Sequence, residues 1–216
     1  MIKHMASFKS DKRIILASAS PRRRELLSLV TDNFEVLTAD VDERAAEVRM
    51  EEEGVPALKV SEHLAEIKAK AVYDTLSDEE KENSIVIGAD TSVILDNIIF
   101  GKPADREEAV NMLSLLSGHT HVVATGVAIF AGSEKKTFTE ETRVEFYELD
   151  GYQKKLIEDY IDTGSPFDKA GGYGIQDMGA LLVKGINGDY ANVVGFPVSR
   201  LARELSNMVK YSVEYV

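Results

Sequence analysis

Three consecutive arginines, Arg22 to Arg24, stand where a helix is predicted to begin. The apolar run at residues 14–17 is typical of a short buried strand. Ser20 is a favourable N-cap, and Pro21 suits the first helical position. The positive end of a helix dipole disfavours cations in the first turn, but free backbone N–H groups and guanidinium groups together can bind a polyphosphate. The pattern therefore indicates a polyphosphate site, with a solvated basic turn as the alternative.

A carboxylate and a lysine are the second candidate pair. Asp90 follows the apolar residues 85–87, and a two-residue turn at 96–97 predicts a hairpin. The register of that hairpin would place Thr91 opposite Lys102, which brings Lys102 within reach of Asp90. Such a pair is a candidate for reaction chemistry, or else a structural ion pair at a strand end.

A third cation, Lys68, interrupts an apolar helix face. The spacing of Leu64, Ile67 and Val72 predicts an amphipathic helix over residues 61–76, and Lys68 falls within its apolar stripe. The side chain either snorkels to solvent or points into a cleft.

A glycine-rich segment at residues 168–176 reads Asp-Lys-Ala-Gly-Gly-Tyr-Gly-Ile-Gln. Glycines permit unusual dihedral angles and let backbone approach a ligand closely. No helix is expected directly after it, so it is neither a P-loop nor a dinucleotide fingerprint. Taken alone, the segment fits a ligand site or a purely structural turn.

Composition limits the class of protein. The 216 residues include 25 basic and 37 acidic side chains, a net charge of −12, which weighs against non-specific binding of nucleic acid or anionic membranes. The absence of Cys excludes disulfides, thiol nucleophiles and thiolate metal sites, and fits a reducing compartment. His119 and His121 lack the pattern of a zinc site, and we assign them no catalytic role. Apolar runs are too short for a transmembrane helix, so we expect a soluble, cytoplasmic protein.

The elements that must position these residues alternate between helices and strands. We expect an α/β fold with a mixed central β-sheet and flanking helices, elongated into two lobes around a substrate cleft. Residues 1–13 are predicted to be a loose leader and residues 14–216 a single domain with two lobes. The other predicted elements are a strand at 34–37, a solvated loop or frayed helix at 47–54, a helix capped by Asp105 and Glu108 and stopped by Gly118, antiparallel strands at 121–130 and 137–149, a helix at 152–161, a hairpin at 181–194 around Asn187-Gly188, and a last helix opened by Pro197.

Four short motifs, in this order, resemble those of the Maf family of nucleoside triphosphate pyrophosphatases, also called septum-formation inhibitor proteins. The similarity covers residues 14–205 and implies a mixed α/β fold with a central cleft. The implied activity is hydrolysis of a nucleoside triphosphate between the α and β phosphates, with a divalent cation. The motifs are Ser18-Ala19-Ser20-Pro21-Arg22-Arg23, Gly88-Ala89-Asp90-Thr91, Gly101-Lys102-Pro103 and Lys169-Ala170-Gly171-Gly172-Tyr173-Gly174-Ile175-Gln176.

The resemblance also implies roles for individual residues. The second and fourth motifs are similar to the branch that acts on dTTP and UTP. Asp177 departs from that branch, where Gly is common, and adds a negative charge beside the base-reading segment. The residues carried over are Asp90 as general base, Ser18, Arg22, Arg23, Lys68 and Lys102 in the phosphate cleft, Glu43 as an acidic residue of the same site, and Arg22, Thr91 and Gln176 in base choice.

Cofactor and partners follow from that resemblance. Mg²⁺ or Mn²⁺ is expected between triphosphate oxygens and the carboxylates of Asp90 and Glu43. The expected partner is the nucleotide, with no nucleic acid or membrane, and a homodimer is compatible with the sequence. Arg24 has no matching role and is expected to be solvated. The alternative is a nucleotide-sensing regulator of septum formation without physiological turnover.

Overall fold

The computed structural model describes residues 6–209 and 212–215, which form a mixed α/β fold. Its strands are β1 (Ala6–Lys9), β2 (Arg13–Leu16), β3 (Glu35–Val36), β4 (Ser84–Leu95), β5 (Ile98–Phe100), β6 (Thr120–Ala131), β7 (Glu134–Phe146), β8 (Val183–Asn187) and β9 (Ser212–Tyr215). Its α-helices are α1 (Pro21–Leu27), α2 (Glu43–Glu52), α3 (Ala57–Tyr73), α4 (Asp78–Glu82), α5 (Arg106–Leu116), α6 (Gly151–Asp162), α7 (Tyr190–Val194) and α8 (Val198–Met208). None of these helices combines the length and the apolar character needed to cross a bilayer.

The central sheet is mixed, as the sequence predicted. Its order is β3-β2-β4-β6-β7-β8, and β5 pairs with β4 off that path. β2 runs parallel to β3 and β4, whereas β4, β6, β7 and β8 pair antiparallel in succession. The antiparallel pairing of the strands predicted at 121–130 and 137–149 is confirmed.

One edge of β4 changes its neighbour partway along the strand. β2 covers residues 84–87, β5 covers residues 93–95, and β6 pairs along the other edge throughout. Residues 88–92 therefore have no strand beside them on one edge within the described part of the chain. We call this stretch the β4 gap. Binding crevices commonly form where strand neighbours change in an open α/β sheet, and Asp90 lies at the centre of the gap.

Helix α3 lies directly against the sheet because two glycines allow it. A Cβ on Gly88 would lie 2.4 Å from the carbonyl oxygen of Ala65, and one on Gly126 would lie 2.2 Å from the backbone nitrogen of Glu62. Any larger residue at either position would push the helix away from β4 and β6. This close approach brings the side chain of Lys68 to the β4 gap.

Separate apolar clusters flank the gap. Leu16, Ile87 and Leu201 belong to a cluster between the sheet and α1 and α8, and Ala65 and Val86 to one beneath α3. Beyond the gap, a further cluster gathers side chains of α5, α6 and the glycine-rich segment around Val93. The gap is therefore a polar interval between two packed regions.

Several local predictions differ from the structure. For the acidic stretch at 47–54, the helical alternative is correct for most residues, which belong to α2, because Asp42 caps the helix by accepting a hydrogen bond from the Ala45 N–H, 2.9 Å away. The hairpin predicted at 181–194 is wrong: after β8, Asp189 caps α7 through the Ala191 N–H, at 2.8 Å. Within the predicted leader, residues 1–5 lie outside the described residues, and β1 is a strand that pairs with β9.

Candidate active site

A cleft of about 980 Å³ opens at the β4 gap. It lies between α1, α2 and α3 on one side and the glycine-rich segment on the other. The cleft brings together every site residue predicted from the sequence: Ser18, Arg22, Arg23, Glu43, Lys68, Asp90, Thr91, Lys102 and Gln176.

The Lys68 ammonium group joins two carboxylates at the floor of the cleft. Its Nζ lies 2.7 Å from Asp90 Oδ1 and 2.7 Å from Glu43 Oε2. The side chains of Lys68 and Asp90 are 17% and 13% exposed, so both are shielded but reachable from the cleft. Of the two alternatives left open for Lys68, the structure shows that it points into the cleft. One oxygen of each carboxylate has no hydrogen-bond partner within the described residues.

Glu47 is a further cleft residue that the sequence analysis missed. It lies one helical turn after Glu43 on α2, and both line the cleft. Burial raises the pKa of Glu47, and the neighbouring carboxylates Asp90 and Glu43 raise it further. The signal was available in the sequence, because Asp42 as an N-cap would have placed Glu43 and Glu47 on one helix face.

The turn from β2 into α1 has the local structure predicted for it. Ser20 is the N-cap and accepts a hydrogen bond from the Arg23 N–H, and Pro21 stands at the start of the helix. The next side chain, Arg22, makes an ion pair across the cleft, with its Nη1 3.0 Å from Asp168 Oδ2. This pair joins α1 to the glycine-rich segment.

Arg23 lines the same cleft, but its guanidinium group binds other parts of the protein. Its Nη1 donates to the carbonyl oxygen of Ala89 at 2.7 Å and to Ser18 Oγ at 3.3 Å. Its Nη2 donates to Thr91 Oγ1 at 3.0 Å, and its Nε donates to the carbonyl oxygen of Gly195 at 3.0 Å. Burial lowers the pKa of Arg23. These contacts leave few donors for a phosphate.

The predicted pairing of Lys102 with Asp90 differs from the structure. The hairpin has the expected turn, but β5 ends at Phe100, opposite Val93. Lys102 therefore lies beyond the ladder and is not held opposite Thr91. Among the described residues its ammonium group has no ion-pair partner, whereas Asp90 pairs with Lys68. The exposed Lys102 side chain is free to meet an anion in the cleft.

The glycine-rich segment forms the opposite wall and is supported from behind by two tyrosines. The Tyr160 hydroxyl accepts a hydrogen bond from the Gly174 N–H at 3.0 Å. The Tyr173 hydroxyl lies 2.8 Å from His121 Nε2 within a buried aromatic cluster. The Gln176 side chain is exposed in the cleft and makes no hydrogen bond to the described residues. Its amide is therefore available to a ligand.

Asp177 is neutralised locally. Its carboxylate accepts hydrogen bonds from Ser165 Oγ at 2.6 Å and from the Gly179 N–H at 2.9 Å, and Lys169 Nζ lies 3.5 Å away. Burial raises its pKa, but these contacts outweigh burial and the pKa of Asp177 is lowered. The charge expected to disturb base reading is thus bound within the wall itself.

The carboxylates suit a cation that arrives with a substrate. No group of three or more His, Cys, Asp or Glu side chains in the described residues is arranged to hold a metal ion alone. The unpaired oxygens of Asp90 and Glu43 nevertheless face one cleft. Mg²⁺ is commonly bound by one or two carboxylates together with substrate phosphates and waters, and this donor set fits that arrangement.

The fold and site define a class: a mixed α/β protein whose cleft brings together cations, carboxylates and a free amide. A sequence profile described as "Maf-like protein" matches residues 13–208, and the chain belongs to this family. A "dTTP/UTP pyrophosphatase" of Geobacillus sp. (strain WCH70) is 47% identical over 91% of this chain and 98% of its own length. Proteins of the same name from Thermosipho africanus (strain TCF52B) and Bacillus cytotoxicus are each 48% identical, over 88% and 90% of this chain and 90% and 94% of their own lengths.

Proposed function

We propose that this protein is a nucleoside triphosphate pyrophosphatase that hydrolyses dTTP and UTP to the monophosphate and pyrophosphate. The relatives described above carry that name over nearly their whole length. The observation that carries the proposal is the Asp90–Lys68–Glu43 cluster, placed in one cleft with the uncommitted cation Lys102 and the uncommitted amide Gln176.

Asp90 is the proposed general base. Lys68 holds its Oδ1, so the other oxygen can accept a proton from a water that attacks the α-phosphorus. Arg22 and Lys102 line the cleft and neutralise the charge that develops on the leaving pyrophosphate. Asp90 and Glu43 are the residues that would hold a divalent cation, which when bound supplies further neutralisation of the phosphates. The family membership supports a divalent cation in general, and Mg²⁺ or Mn²⁺ are our proposals.

Gln176 is the proposed reader of the base. A side-chain amide offers a donor and an acceptor, which match the adjacent C=O and N–H of uracil or thymine. Cytosine presents the opposite pattern on that edge, so an amide held in one orientation against the bound base would leave polar groups unpaired with cytosine. The expected location is the cytoplasm, where nucleoside triphosphates are held.

Isotope labelling of the products tests the reaction directly. Each of dTTP, UTP, CTP, ATP and GTP would be hydrolysed in ¹⁸O-water with Mg²⁺ or Mn²⁺, and the products identified by mass. We expect label in the monophosphate, because attack occurs at the α-phosphorus, with dTTP and UTP fastest. Label in pyrophosphate would place attack at the β-phosphorus, and release of orthophosphate and a diphosphate would refute the proposal. Nucleotide binding without turnover would favour the regulatory alternative.

A further inference from the structure

Arg23 forms hydrogen bonds to the residues on either side of Asp90 but not to Asp90 itself. One hydrogen bond reaches the carbonyl oxygen of Ala89, the residue before Asp90, and another reaches the hydroxyl of Thr91, the residue after it. Successive side chains of a strand point to opposite faces. Asp90 therefore points towards α3 and Lys68, while Thr91 points to the other face. Arg23 therefore holds β4 at the residue before Asp90 and at the residue after it.

The β4 gap explains why an arginine is needed there. The carbonyl of Ile87 accepts the Ala17 N–H at 2.7 Å, the last backbone bond that the β2 side supplies. Alternate carbonyls of a strand point to the same edge, so the carbonyl of Ala89 is the next acceptor. With no strand beside the gap, Arg23 provides the donor. Ala89 is fully buried, and a buried backbone acceptor without a partner costs free energy comparable to a lost hydrogen bond.

A hydrogen-bond chain continues from Thr91 into the fold. Its hydroxyl lies 3.1 Å from that of Thr125 on β6, and Thr125 in turn donates to the carbonyl oxygen of Asn192 at 3.3 Å. The Thr91 hydroxyl is thereby engaged by Arg23 on one side and Thr125 on the other. This arrangement links the contact between Arg23 and β4 to the neighbouring strand β6.

Most N–H donors of the Arg23 guanidinium group already form hydrogen bonds within the protein. A guanidinium group has five N–H donors, and Ala89, Ser18, Thr91 and Gly195 take four of them. A bidentate phosphate contact needs two. The neighbouring Arg22 differs, because its described contact is a single ion pair with the exposed carboxylate of Asp168.

We propose that Arg23 is a positioning residue for Asp90, acting through the Ala89 carbonyl and the Thr91 hydroxyl, and that it does not bind the triphosphate. Thr91 is the second member of this device, through its hydroxyl. The inference rests on the proposed function, since it assigns how the proposed general base is held. It separates Arg22 and Arg23, which the sequence places in one group of phosphate-binding residues.

The first test measures the effects of substitutions on kcat and on KM separately. Arg23→Lys keeps the charge but cannot make the four contacts, so kcat per folded enzyme should fall roughly 100-fold, as expected for a misplaced catalytic group. KM for dTTP and the Kd of α,β-methylene-dTTP should change less than about threefold, roughly the scatter of a peripheral change. Arg22→Lys is the matched comparison: because Arg22 is a proposed phosphate contact, KM and Kd should rise, together with any fall in kcat that comes from weaker neutralisation of the leaving pyrophosphate. A large rise in Kd for Arg23→Lys, with kcat preserved, would overturn the proposal.

A second pair of variants tests the device without changing a charge. Thr91→Val should lower kcat with little change in the Kd of α,β-methylene-dTTP, and Thr91→Ser should restore kcat. The double variant Arg23→Lys/Thr91→Val should lose less than the product of the two single losses, because both act on one contact. An unchanged kcat in Thr91→Val would refute the inference even if Arg23→Lys failed to fold. Where both single variants fold, independent losses would also refute it. Failure of the proposed function is distinct, because the unsubstituted protein would then release no pyrophosphate from dTTP or UTP.

Discussion

The two walls of the cleft differ in how their polar side chains are employed. On the β4 side, Asp90, Lys68 and Arg23 are bound to one another or to backbone, so their positions are set before any ligand enters. On the glycine-rich side, the amide of Gln176 has no partner within the described residues, while the backbone behind it is anchored by Tyr160 and Tyr173. The difference suits a proposed division of labour, in which one wall performs chemistry and the other recognises the base.

The two walls differ in how far their proposed functions depend on side chains that are already fixed in position before the ligand binds. A general base must hold one geometry because proton transfer requires hydrogen-bond distance in the transition state. A side chain that recognises the base gives specificity because polar groups stay unpaired when the wrong nucleotide binds. Substitutions on the β4 side should therefore alter kcat, and substitutions of Gln176 should alter the choice of nucleotide.

The largest effect is expected from Asp90→Asn. The amide keeps the size of the carboxylate but cannot take a proton, so kcat should fall about 10²-fold to 10⁴-fold. The Kd of α,β-methylene-dTTP, measured by calorimetry, should stay measurable. Glu66→Gln is the control, because Glu66 lies on the same α3 helix and pairs with the surface residue Lys135. Retained turnover in Asp90→Asn would remove Asp90 from the chemical step.

Behind the recognition wall, His121 should make stability depend on pH. Burial lowers the pKa of His121 from 6.5 to about 4, and its Nδ1 has no hydrogen-bond partner in the described structure. Between these values the unfolded chain binds a proton that the folded protein does not. The folded state therefore loses stability as the pH falls from about 6.5 to about 4, by about 3 kcal/mol in full.

Replacement of His121 isolates that contribution. His121→Gln keeps a hydrogen-bonding group near Tyr173 but does not titrate. The free energy of unfolding, measured with urea at pH 7, 6, 5 and 4, should converge for the two proteins as the pH falls. Parallel curves would show that His121 titrates alike in the folded and unfolded chains.

The local elements of the site could be predicted from the sequence, but its contacts could not. Ser20 and Pro21 specify the start of α1 through neighbouring residues alone. The pairing of Lys68 with Asp90 depends on how closely α3 approaches the sheet at Gly88, which periodicity does not reveal. The predicted pairing of Lys102 with Asp90 extended the hairpin register to Lys102. That prediction is wrong because the β4–β5 ladder ends at Phe100, before Lys102 is reached.

Arg23 shows the same limit more strongly. Its Nε donates to Gly195, which is 172 residues away in the sequence. A motif can identify such an arginine as a site residue, but it cannot distinguish a phosphate ligand from a positioning group. That distinction depends on which acceptors the fold leaves open, and here the open acceptor is the Ala89 carbonyl at the β4 gap.

A smaller effect is expected from Gln176→Glu, which tests the recognition wall itself. A carboxylate only accepts hydrogen bonds, so the variant loses the donor that matches a uracil or thymine carbonyl and can accept from the amino group of cytosine. The dTTP/CTP ratio of kcat/KM should fall roughly 10-fold to 100-fold, the cost of one polar group left unpaired when the bound base covers it. Equal loss for all nucleotides would instead indicate a role in phosphate binding.

The smallest effect is expected where the two walls meet. Asp168 holds Arg22 across the cleft and also pairs with Lys169, at 2.6 Å. Burial raises the pKa of Asp168, but hydrogen bonds from Lys169 and Arg22 outweigh burial and lower it. A triphosphate that binds Arg22 must compete with this carboxylate. Exposed ion pairs contribute about 0–1 kcal/mol, so Asp168→Asn should lower the Kd of α,β-methylene-dTTP at most about fivefold.

Asp162→Asn provides a matched control, because Asp162 pairs with Arg106 outside the cleft and its side chain is 64% exposed, as is that of Asp168. This control should leave the Kd unchanged. The gain from Asp168→Asn should shrink at high salt, where the competing charges are screened. If Asp168→Asn weakened binding instead, the ion pair would be holding the walls at the right separation for the nucleotide. Arg22 would then bridge the two walls, and the division between chemistry and recognition would not extend to it.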